Sequence, residues 1–262
     1  MTWEKTIGRV SFINCEPLFY NIPDEWSVLS APPSWLTGHL LRRDCIIAPI
    51  PAADYAKHKD ELYLIPDIAI SSKGEVGSVL LFGVDDIENM KKIALPTDSA
   101  TSRALLQYLI SRKNYDVEYK EMGPDLESML DICDGCLLIG DRALESAKSN
   151  PELVKMDLGK EWKEVSQSPM VFGVFAARRD SDISAVKNAY NALVANLEKF
   201  EDSKSIRSDV IELCSSKTNQ SVERLEKYFG EVINRVDAED MKGLRKFLKN
   251  ACKVDEDLIL AW

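Results

Sequence analysis

Short apolar, β-branched runs alternate with helix-spaced stretches from Ile7 to Ala177, and this rhythm restricts the fold more than any other feature of the chain. Ile7 to Phe12, Trp26 to Leu29, Cys45 to Pro51, Leu62 to Ile65, Ile68 to Ile70, Met90 to Pro96, Val117 to Lys120, Cys136 to Ile139 and Met170 to Arg178 read as strands. Between them, Trp35 to Leu41, Ala52 to Tyr55, Arg103 to Arg112 and Leu126 to Leu130 read as helices, and Leu105, Leu106, Leu109 and Ile110 supply a buried stripe. Strands alternating with helices predict an α/β fold. From Asp182 onward the pattern is helical, with three stripes: Ile183 to Phe200, Val222 to Phe229, and Met241 to Leu248 behind an Asp237 cap. At roughly 150 residues per domain, 262 residues make two lobes or one large domain.

Polar residues gather where strands end. Asn14, with Pro17 three residues on, reads as a helix N-cap after the first strand. Ile70 to Phe82 leaves a strand, passes Ser71, Ser72, Gly74, Gly77 and Ser78, and re-enters an apolar run. The glycines allow close backbone approach and the serines supply short donors, although an ordinary turn reads equally well. Thr97 to Ser102 sets Ser99, Thr101 and Ser102 at a helix N-terminus, where free N–H groups and the helix dipole favour an anion. Ile139-Gly140-Asp141 is a third passage from strand to helix.

A net charge of −10 without a Lys/Arg-rich run argues against nucleic acid and anionic membranes as partners. No run approaches the roughly 20 apolar residues of a membrane span. Met1 to Thr6 lacks a basic region followed by an apolar run, so a cytoplasmic location is expected. The six cysteines are scattered. Cys133 and Cys136 have CxxC spacing, but no second pair exists and the only histidines are His39 and His58, so structural thiols and no metal are expected. Nucleophile elbow, phosphate loop and dinucleotide fingerprint are all missing. The clustered groups are neutral donors, which orient a ligand and stabilise charge without taking protons.

Gly8 to Asn14 with Pro17-Leu18, Ile68 to Ser72 with Gly74, Val76 and Ser78-Val79, and Leu95-Pro96 through Ser102 together resemble the chorismate dehydratases of the futalosine route to menaquinone. Leu138 to Leu144, Asp157 to Trp162, Pro169 and Val171-Phe172 continue the resemblance, which covers nearly all of residues 5 to 180. It implies a two-lobed, periplasmic-binding-protein-like (type II) fold with the ligand between lobes, one formed by residues 1–82 and 176–262 and the other by 83–175. It also implies elimination of water from chorismate to give 3-[(1-carboxyvinyl)oxy]benzoate without a cofactor. Asn14 and Ser78 match the family's catalytic positions. Ser71, Ser72, Val76, Ser99, Thr101, Ser102, Gly140 and Asp141 are the expected substrate contacts. Two departures stand out: Ser166-Gln167-Ser168-Pro169 replaces an expected Thr-Gly-x-Pro, setting Gln167 beside the expected cleft, and Ala52 stands where a serine is common. A non-catalytic binding protein for a small carboxylate would share the fold and the anion-binding loop mouths.

Overall fold

In the computed structural model, which describes residues 2–262, the strands form a two-stranded, a four-stranded and a five-stranded sheet. The chain opens with β1 (Thr6–Val10), α1 (Glu16–Phe19), β2 (Ser27–Ala31) and α2 (Pro33–Leu41). β3 (Ala48–Pro51), α3 (Ala52–His58) and β4 (Leu62–Ser72) follow. The middle of the chain runs β5 (Val79–Gly83), β6 (Lys92–Pro96), α4 (Ala100–Arg112), β7 (Glu118–Met122) and α5 (Leu126–Leu130). It continues with β8 (Gly135–Ile139), α6 (Gly140–Ser149), β9 (Val154–Asp157) and α7 (Leu158–Ser166). β10 (Met170–Arg178) then leads to α8 (Ile183–Asp202), α9 (Lys204–Thr218), α10 (Val222–Glu231), β11 (Ile233–Arg235) and α11 (Ala238–Cys252).

The four-stranded sheet has the order β11-β4-β10-β3, all neighbours antiparallel. Parallel β1 and β2 join its β3 end through a bridge between Ile7 and Ile47. The five-stranded sheet, β7-β6-β8-β5-β9, is mixed: β6 runs parallel to β7 and β8, while β5 is antiparallel to β8 and β9. β5 and β8 are buried along their whole length and β10 along all but its last residue. Continuous apolar strands of this kind have both faces covered. Sheet membership changes between Ser72 and Val79 and again between Asp157 and Met170. Both changeovers fall earlier than the boundaries at 82 and 175 expected from sequence, because β5 and β10 each belong to one sheet throughout.

The sequence reading differs from the structure in several local places. Asn14 is not a helix N-cap: it lies within a 3₁₀ turn, Ile13–Cys15, and Cys15 precedes α1. The two short strands expected at Leu62–Ile65 and Ile68–Ile70 are one strand, bent at Asp67, whose φ is +66°. Four helices follow Asp182 instead of three. The extra one, α9, buries only Val210, Ile211 and Cys214, too sparse a stripe to stand out by spacing.

Trp162 ties the two halves together. Its ring meets Tyr108 of α4 and Phe247 of α11 edge-on, and its indole N–H donates to Pro169 O at 2.9 Å. Cys133 and Cys136 are free thiols in a buried cluster with Leu80, Phe82 and Leu138. Burial pushes Cys136 up to about 12, so it behaves as a small apolar residue. Among the described residues no group of His, Cys, Asp and Glu could hold a metal ion, and no helix is long and apolar enough to cross a membrane.

Candidate active site

Between the sheets lies a cavity with about 540 Å³ of empty space, including its open mouth. Phe12, Ile50, Ile70, Ile139 and Phe172 give it apolar walls. Its polar side chains are Asn14, Ser78, Ser99 and Ser102, and among the described residues no titratable side chain lines it. The four come from three loop mouths, two of them fixed by a carboxylate outside the cavity lining.

The Ile13–Cys15 turn is held from the other sheet. Asp141, at the start of α6, accepts the Ile13 backbone N–H at 3.1 and 3.3 Å through its two carboxylate oxygens. Burial pushes Asp141 from 3.8 up to about 6, against the Ile13 hydrogen bond and the Arg142 charge. Asn14 next to it is almost fully buried, and its Oδ1 has no hydrogen-bond partner. A buried acceptor left unpaired costs about 1–3 kcal/mol, so this oxygen is suited to accept a hydrogen bond from a ligand.

Asp157 holds the Val76–Ser78 turn. Its carboxylate accepts the N–H groups of Val76 at 3.1 Å and Gly77 at 2.8 Å, and it also caps α7 through Lys160 N–H at 3.0 Å. Gly77 takes φ +67° here, a conformation that favours glycine. Ser78 O then accepts Gly140 N–H at 2.7 Å, coupling this mouth to the start of α6. Gly140 takes φ +61°, and a Cβ there would lie 2.5 Å from the Phe12 ring.

Ser99 and Ser102 open α4. Their hydroxyls are joined, Ser99 Oγ donating to Ser102 Oγ at 2.8 Å, and both face the cavity. Ser99 is the extended N-cap and Ser102 the third helical residue, two positions whose side chains meet at a helix start. Arg142 is occupied elsewhere: both its terminal nitrogens donate to Asp98 at 2.9 Å and it stacks over Phe12.

Of the expected contacts, Asn14, Val76, Ser78, Ser99, Ser102 and Gly140 line the cavity. Ser71, Ser72, Thr101 and Asp141 do not. Ser71 donates to buried Asp240 at 2.7 Å, Ser72 to Gly74 O at 3.0 Å, and Thr101 accepts Ala53 N–H at 3.1 Å. Gln167 is exposed and stands at the C-cap of α7, away from the cavity lining. Ala52 is buried at the start of α3 and is also outside the lining. Sequence reasoning missed Asp157 as a clamp and Tyr228, whose hydroxyl donates to Ser78 Oγ at 3.1 Å.

A family profile described as menaquinone biosynthesis matches residues 5–253. The chain belongs to the menaquinone biosynthesis family. This family member is 30% identical over 225 residues to the chorismate dehydratase of Thermus thermophilus, covering 78% of this chain and 83% of that protein. Among solved structures it is similar to AF1704 of Archaeoglobus fulgidus, with TM-score 0.74, 18% identity and coverage of 95% and 96% of the two chains. The Candida albicans CA3427 product, described as exhibiting the generic periplasmic binding protein fold, matches with TM-score 0.67, 14% identity and coverage of 96% and 91%. The alkanesulfonate-binding protein SsuA of Xanthomonas axonopodis pv. citri, bound to MOPS, gives TM-score 0.68 at 11% identity, covering 98% and 95%. The family member thus has the periplasmic-binding-protein fold expected from its sequence.

Proposed function

We propose that this chain is a chorismate dehydratase, a cytoplasmic carbon–oxygen lyase of menaquinone biosynthesis that converts chorismate to 3-[(1-carboxyvinyl)oxy]benzoate. The observation that carries the reading is the cavity itself: apolar walls, four neutral hydrogen-bonding side chains and the unpartnered Asn14 oxygen. The 30% identity to a chorismate dehydratase supports it. The lobes are proposed as residues 2–72 with 170–262, and 79–157, following sheet membership.

Chorismate carries one carboxylate on a partly unsaturated ring and a second on its enolpyruvyl ether side chain. The α4 N-terminus, with Ser99 and Ser102, supplies donors and a positive dipole end for one carboxylate. The ring hydroxyl leaves as the neighbouring ether-bearing carbon gives up its proton, and that C–H electron pair becomes the last ring double bond. Hydroxide and proton leave together as water, and aromatisation drives the step without a cofactor. Among the described residues the cavity lining offers no side-chain base, so the substrate's own enolpyruvyl carboxylate takes the ring proton and passes it to the departing hydroxide. Asn14 and Ser78 fix the reacting geometry, and the Ser78 hydroxyl donates to the departing hydroxyl.

The test is incubation of purified protein with chorismate, following loss of the diene absorbance and identifying the product by mass. Asn14→Ala and Ser78→Ala are each expected to lower turnover about 10²–10³-fold, the range for removing one transition-state donor. Chorismate that stays unchanged but raises the melting temperature would replace the dehydratase with a non-catalytic binding protein.

A further inference from the structure

Ser78 is the one cavity hydroxyl that receives a hydrogen bond from a tyrosine, and that tyrosine lies outside every motif the sequence offered. Tyr228, in the middle of α10, is fully buried, and its hydroxyl stands 3.1 Å from Ser78 Oγ. A buried phenol needs a partner, but a backbone carbonyl would satisfy it, as Pro169 O satisfies the Trp162 indole. Here the proton is directed at a cavity side chain instead. Burial pushes the Tyr228 phenol upward, so it remains protonated and acts as a donor.

A serine hydroxyl has one proton and two lone pairs. With a lone pair occupied by Tyr228, the Ser78 proton can turn to Val76 O, at a marginal 3.5 Å, or into the cavity. Two hydroxyls in series also polarise one another, which makes the second the stronger donor. α10 braces the same turn with further groups. Arg224 and Glu231, paired at 2.9 Å, lie so close over Gly77 that a Cβ there would meet both. The following residue on that side, Val232, lines the cavity.

We propose that Tyr228 is a positioning residue for the dehydration: it donates to Ser78 Oγ and thereby aims the Ser78 proton at the departing hydroxyl of the substrate. This rests on the dehydratase reading. Tyr228 touches no substrate and acts through Ser78 alone.

The experiment is a double-mutant cycle on the full chain with chorismate, using Tyr228→Phe, Ser78→Ala and the pair, with melting temperature read for each. Phe keeps the ring and removes only the hydroxyl. Tyr228→Phe is expected to lower kcat about 10- to 100-fold, as loss of a supporting hydrogen bond behind a site group commonly does, with KM within about threefold. In the Ser78→Ala background it should change kcat less than about twofold, because the group it acts through is already gone. Unchanged kcat in Tyr228→Phe would overturn the proposal, and so would the same fold-loss in both backgrounds, since either denies the route through Ser78. A wild-type protein that leaves chorismate unconverted overturns the dehydratase reading and this inference with it, and that outcome shows in the wild-type assay before any variant is compared.

Discussion

Asp157 holds Gly77 by its backbone N–H at 2.8 Å, one residue before the serine that faces the cavity. The carboxylate therefore sets the position of a side chain it does not touch. Asp157→Ala removes the acceptor for Val76, Gly77 and Lys160 together. It is expected to cost about 1–3 kcal/mol in urea unfolding and to lower turnover with it. Full turnover in this variant would show that the turn keeps its shape without the clamp.

Gly140 has positive φ and a Cβ position already filled by Phe12. Gly140→Ala adds left-handed strain of about 1–2 kcal/mol and overpacking of about 1–3 kcal/mol. The expected outcome is a loss of about 2–5 kcal/mol in denaturant unfolding, accompanied by weaker chorismate binding. A loss under about 1 kcal/mol would mean the Phe12 ring moves aside freely.

Asp141 gives a pH dependence whose sign follows from its raised value. An acid lifted from 3.8 to about 6 by burial keeps its proton in the folded state after the unfolded chain has lost it. Folding therefore takes up a proton between about pH 4 and pH 6, and this residue's contribution to stability falls as pH rises through that window. Asp141→Asn retains an acceptor for Ile13 and abolishes the titration. The stability difference, variant minus wild type, should grow from pH 4 to pH 6 and level off above. A flat difference in urea titrations across that range would refute the buried-acid assignment.

Gln167 departs from the expected family residue but serves the backbone. It occupies the left-handed C-cap of α7 at φ +55°. Gln167→Gly relieves that strain and is expected to stabilise by up to about 1 kcal/mol with turnover unchanged. A changed KM for chorismate would place the residue at the cleft after all.

The fold class and three loop mouths were legible because they are local signals: continuous apolar strands, and small polar residues where a helix begins. The misplaced side chains follow from periodicity. Ser71 follows the cavity-lining Ile70 on a strand, where adjacent side chains point to opposite faces, and so it reaches Asp240. Thr101 lies between the N-cap Ser99 and Ser102 but turns the other way, to Ala53. Tyr228 could not be found this way. It sits in an ordinary apolar stripe beside Leu225 and Phe229, and the only sign of its role is a partner 150 residues away in the chain.

The division of strands between sheets also bears on how the chain is made. All five strands of β7-β6-β8-β5-β9 come from one uninterrupted stretch, Val79 to Asp157, whereas Ser71 in the other sheet must wait for Ile233. Contacts so distant in sequence are slow to close. During synthesis the continuous half has all its strands once Asp157 is made, while β4 lacks its edge strand until Arg235 follows.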